Sequence, residues 1–235
     1  MRLSVSEFPV RRLLAPAAAL VLCAGCGISD EEPRPGVAAE VDGEVLSLHD
    51  LDALVDGVCA SVAADETAVA TTRTVAETDL LQSWIATTVI LTLGEQADVS
   101  AEGPGTDPST VPGWDEMDER ERAAIERYLD EQNTARATLE AMGSDGSVED
   151  LDVVVNPRYD LEVATDGTLE TLLDAGFVAV DETLSVSASD EAAAADALLA
   201  GEQQVSVEQI ATLPDAQICG ERPDPSDAAP EVPLG

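Results

Sequence analysis

The chain of 235 residues has few side chains that can do covalent or acid–base chemistry. Its only histidine is His49, and its 11 basic residues are all arginine, so lysine-based Schiff-base or phosphate-loop chemistry has no residue to use. Neither a Gly-x-Ser-x-Gly elbow nor a His-Glu-x-x-His sequence is present. Because His49 falls in the first turn of a predicted helix, we interpret it as a solvated residue. We therefore predict no catalytic residues and no enzyme activity.

Acidic residues dominate the charge. There are 48 Asp and Glu against 11 Arg, which gives a formal net charge of −37. Such a chain does not present the basic face that nucleic acid or an anionic lipid surface requires. Acid clusters such as Asp50 with Asp52, or Glu149 with Asp150 and Asp152, could supply oxygen ligands to Ca²⁺, but no EF-hand loop spacing is present. We predict solvated acidic faces, no bound metal and no free cofactor.

The N-terminal residues have the pattern of an export signal. Three arginines precede an apolar run from Leu13 to Leu22, which is about half the ~20 residues that a membrane-spanning helix needs. The run ends in Leu22-Cys23-Ala24-Gly25-Cys26, which resembles the bacterial lipobox. The resemblance implies a signal peptide of residues 1–25 and a diacylglycerol and N-acyl lipid on Cys26. The alternatives are plain secretion with cleavage near Ala24 or Gly25, and an uncleaved anchor.

Residues 26–36 are rich in glycine, proline and acids, which predicts a flexible tether. A diacyl group supplies the two chains that stable membrane attachment needs. We therefore expect the folded part to lie at the outer face of the bacterial cytoplasmic membrane, with the lipid anchor as its contact to the membrane.

Two cysteines remain in the mature domain, Cys59 and Cys219, once Cys23 leaves with the signal and Cys26 is acylated. In an exported domain the simplest interpretation is a disulfide. It would close a loop of 160 residues, for which chain entropy gives an upper figure of about 5 kcal/mol. The alternatives are two separate buried thiols or a redox-active pair, although the spacing is not Cys-x-x-Cys.

The hydrophobic pattern predicts a mainly α protein with a small antiparallel β-sheet, an α+β fold. Asp42-Gly43 lies between two short apolar segments and predicts a type I′ hairpin turn. Ser47 is placed to cap the helix that follows. The expected elements are two strands over 37–46, helices over 48–64, 67–97 and 114–142, and a strand over 152–155 that Asn156-Pro157 ends or bends.

Beyond residue 160 the pattern is weaker. The strand over 152–155 could continue through 161–163. The remaining expectations are a helix over 169–175, a strand over 177–180, a helix over 191–199, a last turn over 206–213, and a disordered, acidic and proline-rich tail over 220–235.

Three segments carry a family resemblance. The segment from Val37 to Leu51 resembles the opening of the SurA N-terminal domain family, with a valine-rich strand, an Asp-Gly turn, a second strand and a capped helix. Residues 81–99 are similar to that family's second helical landmark. Residues 152–159 are similar to the returning strand of actinobacterial SurA-like lipoproteins.

The resemblance implies a helical peptide-binding domain of the SurA and trigger-factor kind, in which a small sheet joins the two ends of the chain. It covers residues 37–159 of a predicted domain over 37–219, the rest being a C-terminal extension. Many family members also carry a parvulin-type prolyl isomerase domain. The residues after Tyr159 contain no histidine and no parvulin-like glycine- and phenylalanine-rich core, so we do not expect isomerase activity.

Six residues are candidates for peptide binding. The candidates are Trp84, Ile85, Val89, Tyr128, Arg158 and Tyr159. The first four could line a groove for an extended peptide or form ordinary interhelical core. Arg158 could bind a ligand carboxylate through two guanidinium nitrogens, or form an internal ion pair with one of the many acids.

These observations lead to two hypotheses. The first is a membrane-anchored, extracytoplasmic lipoprotein with chaperone-like binding of unfolded or exported polypeptides in an apolar groove, with an acidic exterior that favours basic clients. The second is a non-catalytic structural lipoprotein whose helices are fully packed and which docks one envelope partner.

Replacing Cys26 by serine removes the sulfur that acylation needs. We expect Cys26→Ser to abolish lipid attachment and detergent-phase partitioning, whereas Cys23→Leu, which keeps the modified cysteine, should retain both. Intact-mass analysis of membrane-extracted protein checks this. A wild-type protein that keeps its first 25 residues would contradict the prediction.

Overall fold

The structure is a computed structural model that describes residues 35–144, 146–159, 161–163, 167–175, 177–179 and 207–224. Across these ranges it is mainly helical with small antiparallel sheets, so the α+β prediction is confirmed. The signal peptide, Cys26, most of the tether, the helix expected over 191–199 and the tail beyond 224 lie outside the described residues.

The elements follow one another along the chain with short 3₁₀ turns between some of them. They are β1 (Val37–Val41), β2 (Glu44–Ser47), α1 (Leu48–Ala64), β3 (Thr71–Thr72), α2 (Arg73–Gln96), α3 (Glu119–Met142), β4 (Val153–Val155), β5 (Leu161–Val163), α4 (Leu169–Ala175), β6 (Phe177–Ala179), α5 (Val207–Thr212) and β7 (Ile218–Cys219). The 3₁₀ turns are Pro108–Thr110, Trp114–Glu116, Pro157–Tyr159 and Asp215–Gln217.

The first sheet has the order β2-β1-β4, with both pairs antiparallel. Asp42 and Gly43 have φ values of 50° and 92°, so the predicted turn with two positive φ angles is confirmed. The strand expected after residue 152 returns to pair with β1, where Ala39 lies opposite Val155. The Asn156 side chain donates a hydrogen bond to the carbonyl of Val37 at 2.7 Å, which stabilises the end of the β1–β4 pair.

Helix α1 begins and ends where the sequence predicts. The hydroxyl of Ser47 accepts a hydrogen bond from the backbone N–H of Asp50 at 3.0 Å, which satisfies one of the amides left free at a helix start. The helix then runs to Ala64, and its buried side includes Leu51 and Leu54.

The predicted starts of the other two long helices are wrong. Helix α2 begins at Arg73 because Thr71–Thr72 pairs with Ile218–Cys219 as β3 and β7. The Thr72 hydroxyl then caps the helix. Helix α3 begins at Glu119, after the 3₁₀ turn at Trp114, because Asp118 forms a capping box with Glu121.

The strand β5 does not continue β4. It pairs instead with β6 in a separate two-stranded sheet, with Leu161 opposite Ala179. The short helix expected at 169–175 is present as α4. Strand β6 covers residues 177–179 of the strand expected over 177–180, and residue 180 lies outside the described residues.

The three long helices pack against one another, and β1 packs against α2. Close approach depends on two glycines. A Cβ on Gly57 of α1 would lie 2.9 Å from Cγ1 of Ile125 on α3, and one on Gly94 of α2 would collide with Thr138 of the same α3. A larger residue at either position would push α3 away from its neighbour.

The sulfurs of Cys59 on α1 and Cys219 on β7 lie 2.12 Å apart, with Cα atoms 4.5 Å apart, which is the geometry of a disulfide. Cys219 is fully buried. The bond joins the last described strand to the first helix. It therefore holds the C-terminal segment against the helical body.

Removing this bond frees a loop of 160 residues in the unfolded chain. We expect Cys59→Ser/Cys219→Ser to lower the free energy of unfolding by about 2–5 kcal/mol in urea denaturation. A reductant should lower the free energy of unfolding of the wild-type protein by the same amount. It should not change the stability of the double variant. Two titratable thiols in the native, unreduced protein would contradict the assignment.

Candidate functional site

A groove of about 440 Å³ opens between β2 and the three long helices. Its floor is apolar and comprises Leu46 from β2, Leu54 from α1, and Trp84 and Leu91 from α2. Leu46, Leu54 and Trp84 also belong to the hydrophobic core, so the floor is the outer layer of that core. The groove is therefore backed by rigidly packed side chains.

Helical spacing explains why these residues share a wall. On α2, Trp84, Thr88 and Leu91 are separated by four and three residues, which puts them on one face. The Thr88 hydroxyl donates to the carbonyl of Trp84 at 2.9 Å, which satisfies this polar group. On α3 the same spacing aligns Ala124, Tyr128 and Glu131.

The rim of the groove is acidic. Each surrounding element gives one carboxylate: Glu44 from β2, Asp50 from α1, Glu95 from α2 and Glu131 from α3. The groove lining includes one cation, Arg127, whose Nη2 atom lies 3.7 Å from Oδ1 of Asp50. The other three rim acids are Glu44, Glu95 and Glu131. In the described part of the chain, none of them forms a salt bridge with an arginine.

The pKa of Glu131 is raised by its position in this rim. Burial raises its pKa, and the negative charge of Glu44 raises it further, while Arg127 acts in the opposite direction. Glu44 of β2 and Glu131 of α3 both line this groove.

Tyr128 is held at the groove wall by neutral hydrogen bonds. Its hydroxyl donates to Oγ of Ser83 at 2.9 Å, and Nε2 of Gln132 donates to the Tyr128 oxygen at 2.8 Å. Burial raises the pKa of Tyr128, so the phenol stays protonated at neutral pH. These hydrogen bonds fix the position of the Tyr128 ring, and they do not activate its hydroxyl as a nucleophile.

The candidate peptide-binding residues do not form one site. Trp84 and Tyr128 line the groove, whereas Ile85 and Val89 are 0% exposed in the core and do not. For Ile85 and Val89 the groove hypothesis is wrong, because they lie on the side of α2 that faces the core. Sequence reasoning missed the rim acids, which come from four different elements.

Arg158 and Tyr159 lie outside the groove, on a second surface formed with α2. The Nη2 atom of Arg158 is 3.3 Å from Oε1 of Glu77, and the Tyr159 hydroxyl donates to the same oxygen at 2.9 Å. The Arg158 guanidinium also lies 5.0 Å from the centre of the Tyr159 ring. Arg158 thus closes an internal ion pair, the second of its two interpretations. Burial, followed by the charge of Glu77, raises the pKa of Tyr159.

The other acids of α1 face arginines and solvent. Arg73 donates to Asp52 and to Asp56, each at 2.6 Å. Among the described residues, no group of three or more His, Cys, Asp or Glu side chains is arranged to hold a metal ion. His49 is exposed, as predicted, and its carbonyl accepts a hydrogen bond from Arg120.

Comparisons of the chain with protein-family models, curated proteins and solved structures found no match. Across the described residues, no helix combines the length and the apolar character needed to cross a membrane.

The raised pKa of Glu131 makes stability depend on pH. Because the folded protein favours the protonated acid, this contribution to stability is complete below the unfolded pKa and is lost as pH rises through the folded pKa. Glu131→Gln removes the charge, so we expect it to stabilise the protein at neutral pH by less than about 1 kcal/mol, since water screens a half-buried group.

Thermal melting of the wild type and Glu131→Gln at neutral and mildly acidic pH measures this difference, which should shrink as the pH falls. Glu140→Gln, on an exposed part of the same helix, is the control and should change little. A Glu131→Gln variant that melts below the wild type at neutral pH would contradict the assignment.

Proposed function

We propose that the chain is a lipid-anchored extracytoplasmic protein that holds short segments of unfolded or exported polypeptides in the groove. The observation that supports this is a groove of about 440 Å³ beside β2, with an apolar floor at the edge of the hydrophobic core. Apolar side chains of a client would cover the partly buried Leu91 and the exposed edge of Trp84, and the apolar area removed from water would favour binding.

The size of the groove limits what it holds. Sites for small ligands fall in the range of about 300–1,000 Å³, so this groove accommodates a few side chains and not a long stretch of chain. Binding would be weak and exchangeable, as release of an exported client requires. The acidic exterior, with a net charge of −37, would keep a loaded complex soluble.

The arrangement of the strands supports a SurA-like domain. The segments that carry the resemblance form a hairpin, a capped helix and a strand that returns to β1, so the sheet joins the beginning of the domain to residue 155. We infer that the domain is of the SurA and trigger-factor peptide-binding kind. The anchor on Cys26 would place it at the outer face of the bacterial cytoplasmic membrane.

We also propose that the role is non-catalytic, without prolyl isomerase activity and without a cofactor other than the lipid. The chemistry of the groove supports this: its polar groups are carboxylates, threonines, one guanidinium and a hydrogen-bonded phenol. None of these forms a nucleophile–base pair.

A second candidate function is docking of one fixed envelope partner. Ile85 and Val89 are buried in the core and do not extend the groove. The groove therefore has room for a single segment of a partner. A structural lipoprotein would use that groove for one partner peptide instead of many clients.

Filling the groove tests the first function. Thr92 lies on the groove wall of α2, and Thr78 lies on the same helix outside it, so Thr92→Trp and Thr78→Trp are a matched pair. We expect the mature protein at near-stoichiometric amounts to suppress aggregation of an unrelated unfolded protein, followed by light scattering. Thr92→Trp should lose more than half of this effect, and Thr78→Trp should keep it.

Circular dichroism of both variants controls for folding. If the wild-type protein leaves aggregation unchanged but retains one envelope protein on an affinity column, and Thr92→Trp loses that protein, the docking function is supported in place of the chaperone-like one. If Thr92→Trp and Thr78→Trp behave alike in both assays, neither function depends on the groove.

A further inference from the structure

We infer that the mouth of the groove between Glu44 and Glu131 is a cation subsite, so that the segments it accepts carry a lysine or arginine beside an apolar side chain. This inference rests on the proposed function and names the class of client.

The two acids come from different elements of the groove lining. Glu44 is the first residue of β2, directly after the turn, and Glu131 comes from α3. Both line the same groove, and Glu131 is partly buried. Two carboxylates that share a partly desolvated rim repel each other, and a cation bound at this rim would relieve the repulsion.

The one guanidinium of the groove lining supplies only part of that positive charge. Arg127 lies on α3 beside the groove, but its guanidinium approaches Asp50 of α1, at 3.7 Å. Its charge lowers the pKa of Glu131 more than the charge of Glu44 raises it, but less than burial does. Glu95 on α2 adds a further negative charge to the rim. The rim as a whole therefore carries four carboxylates against one guanidinium.

The chain's own flanking segments are poor occupants. The tether carries Asp30, Glu31 and Glu32, and the residues after Cys219 include Glu221 and Asp224. Segments with this excess of negative charge would be repelled by the acidic rim. Charge complementarity therefore favours a basic segment of another polypeptide.

The floor determines what accompanies the cation. Leu46 belongs to the same strand as Glu44, and Trp84 and Leu54 lie beside it. In an extended peptide, residues two apart lie on the same face, roughly 7 Å from each other. A lysine at the mouth would therefore place an apolar side chain two residues away over this floor.

Fluorescence anisotropy with three labelled peptides tests the subsite on the full mature protein. The peptides share the sequence Gly-Ser-X-Gly-Leu-Gly-Ser, with X being lysine, norleucine or glutamate. We expect the lysine peptide to bind about tenfold more tightly than the glutamate peptide, with the neutral peptide between them. The affinity for the lysine peptide should also fall with rising salt.

Two double variants with the same loss of charge locate the effect. Glu44→Gln/Glu131→Gln should reduce the difference between the lysine and glutamate peptides to about twofold or less. Glu102→Gln/Glu140→Gln, at two exposed positions outside the groove, should preserve the full difference.

The outcomes separate this inference from the proposed function. If all three peptides bind equally and Thr92→Trp blocks them, the groove binds peptides and the cation subsite is wrong. If both double variants weaken the lysine peptide alike, the preference comes from the overall charge of −37, and the subsite is again wrong. If no peptide binds to the wild-type protein, the proposed function and the inference both fail.

Discussion

The packing of α2 against β1 is the contact on which the rest of the structure depends. Leu81, Ile85 and Val89 of α2 are fully buried in the hydrophobic core, and each such side chain contributes roughly 1.5–3 kcal/mol relative to exposure. Helices α1 and α3 pack on the same helix, and β2 and β4 flank β1. The groove lies where this packing ends, because β2 does not close the gap to α2 and α3. Its floor is rigid since it is the edge of the core.

Arginine has a structural use in this protein. Arg73 joins the start of α2 to α1, and Arg127 and Arg158 each approach an acid of another helix, Asp50 and Glu77. With 11 arginines against 48 acids, the arginines cannot neutralise most of the negative charge. The exterior therefore carries strong negative charge, and the groove rim is a place where that charge meets an apolar surface. A basic, partly apolar segment complements both properties.

Local signals predicted the local features well. Asp42-Gly43 indicated the hairpin because few dipeptides adopt two positive φ angles easily, and Ser47 indicated the start of α1 because its hydroxyl satisfies a free amide. The starts of α2 and α3 were predicted too early. Residues 71–72 pair with β7, over a hundred residues away along the chain, and no pattern around Thr71 records that partner.

The sequence by itself determined the α+β class, the hairpin and the extent of α1. It also indicated a helix through the threonine-rich segment after Trp84 and a candidate disulfide between Cys59 and Cys219. Only the tertiary structure decided which face of α2 is core and which is groove, because successive helical residues turn by about 100° and the packing partner selects the buried side. It also decided that Glu44 and Glu131 share one rim. Their separation in the chain carries no information about distance in space, which depends on how β2 and α3 pack around the same helix.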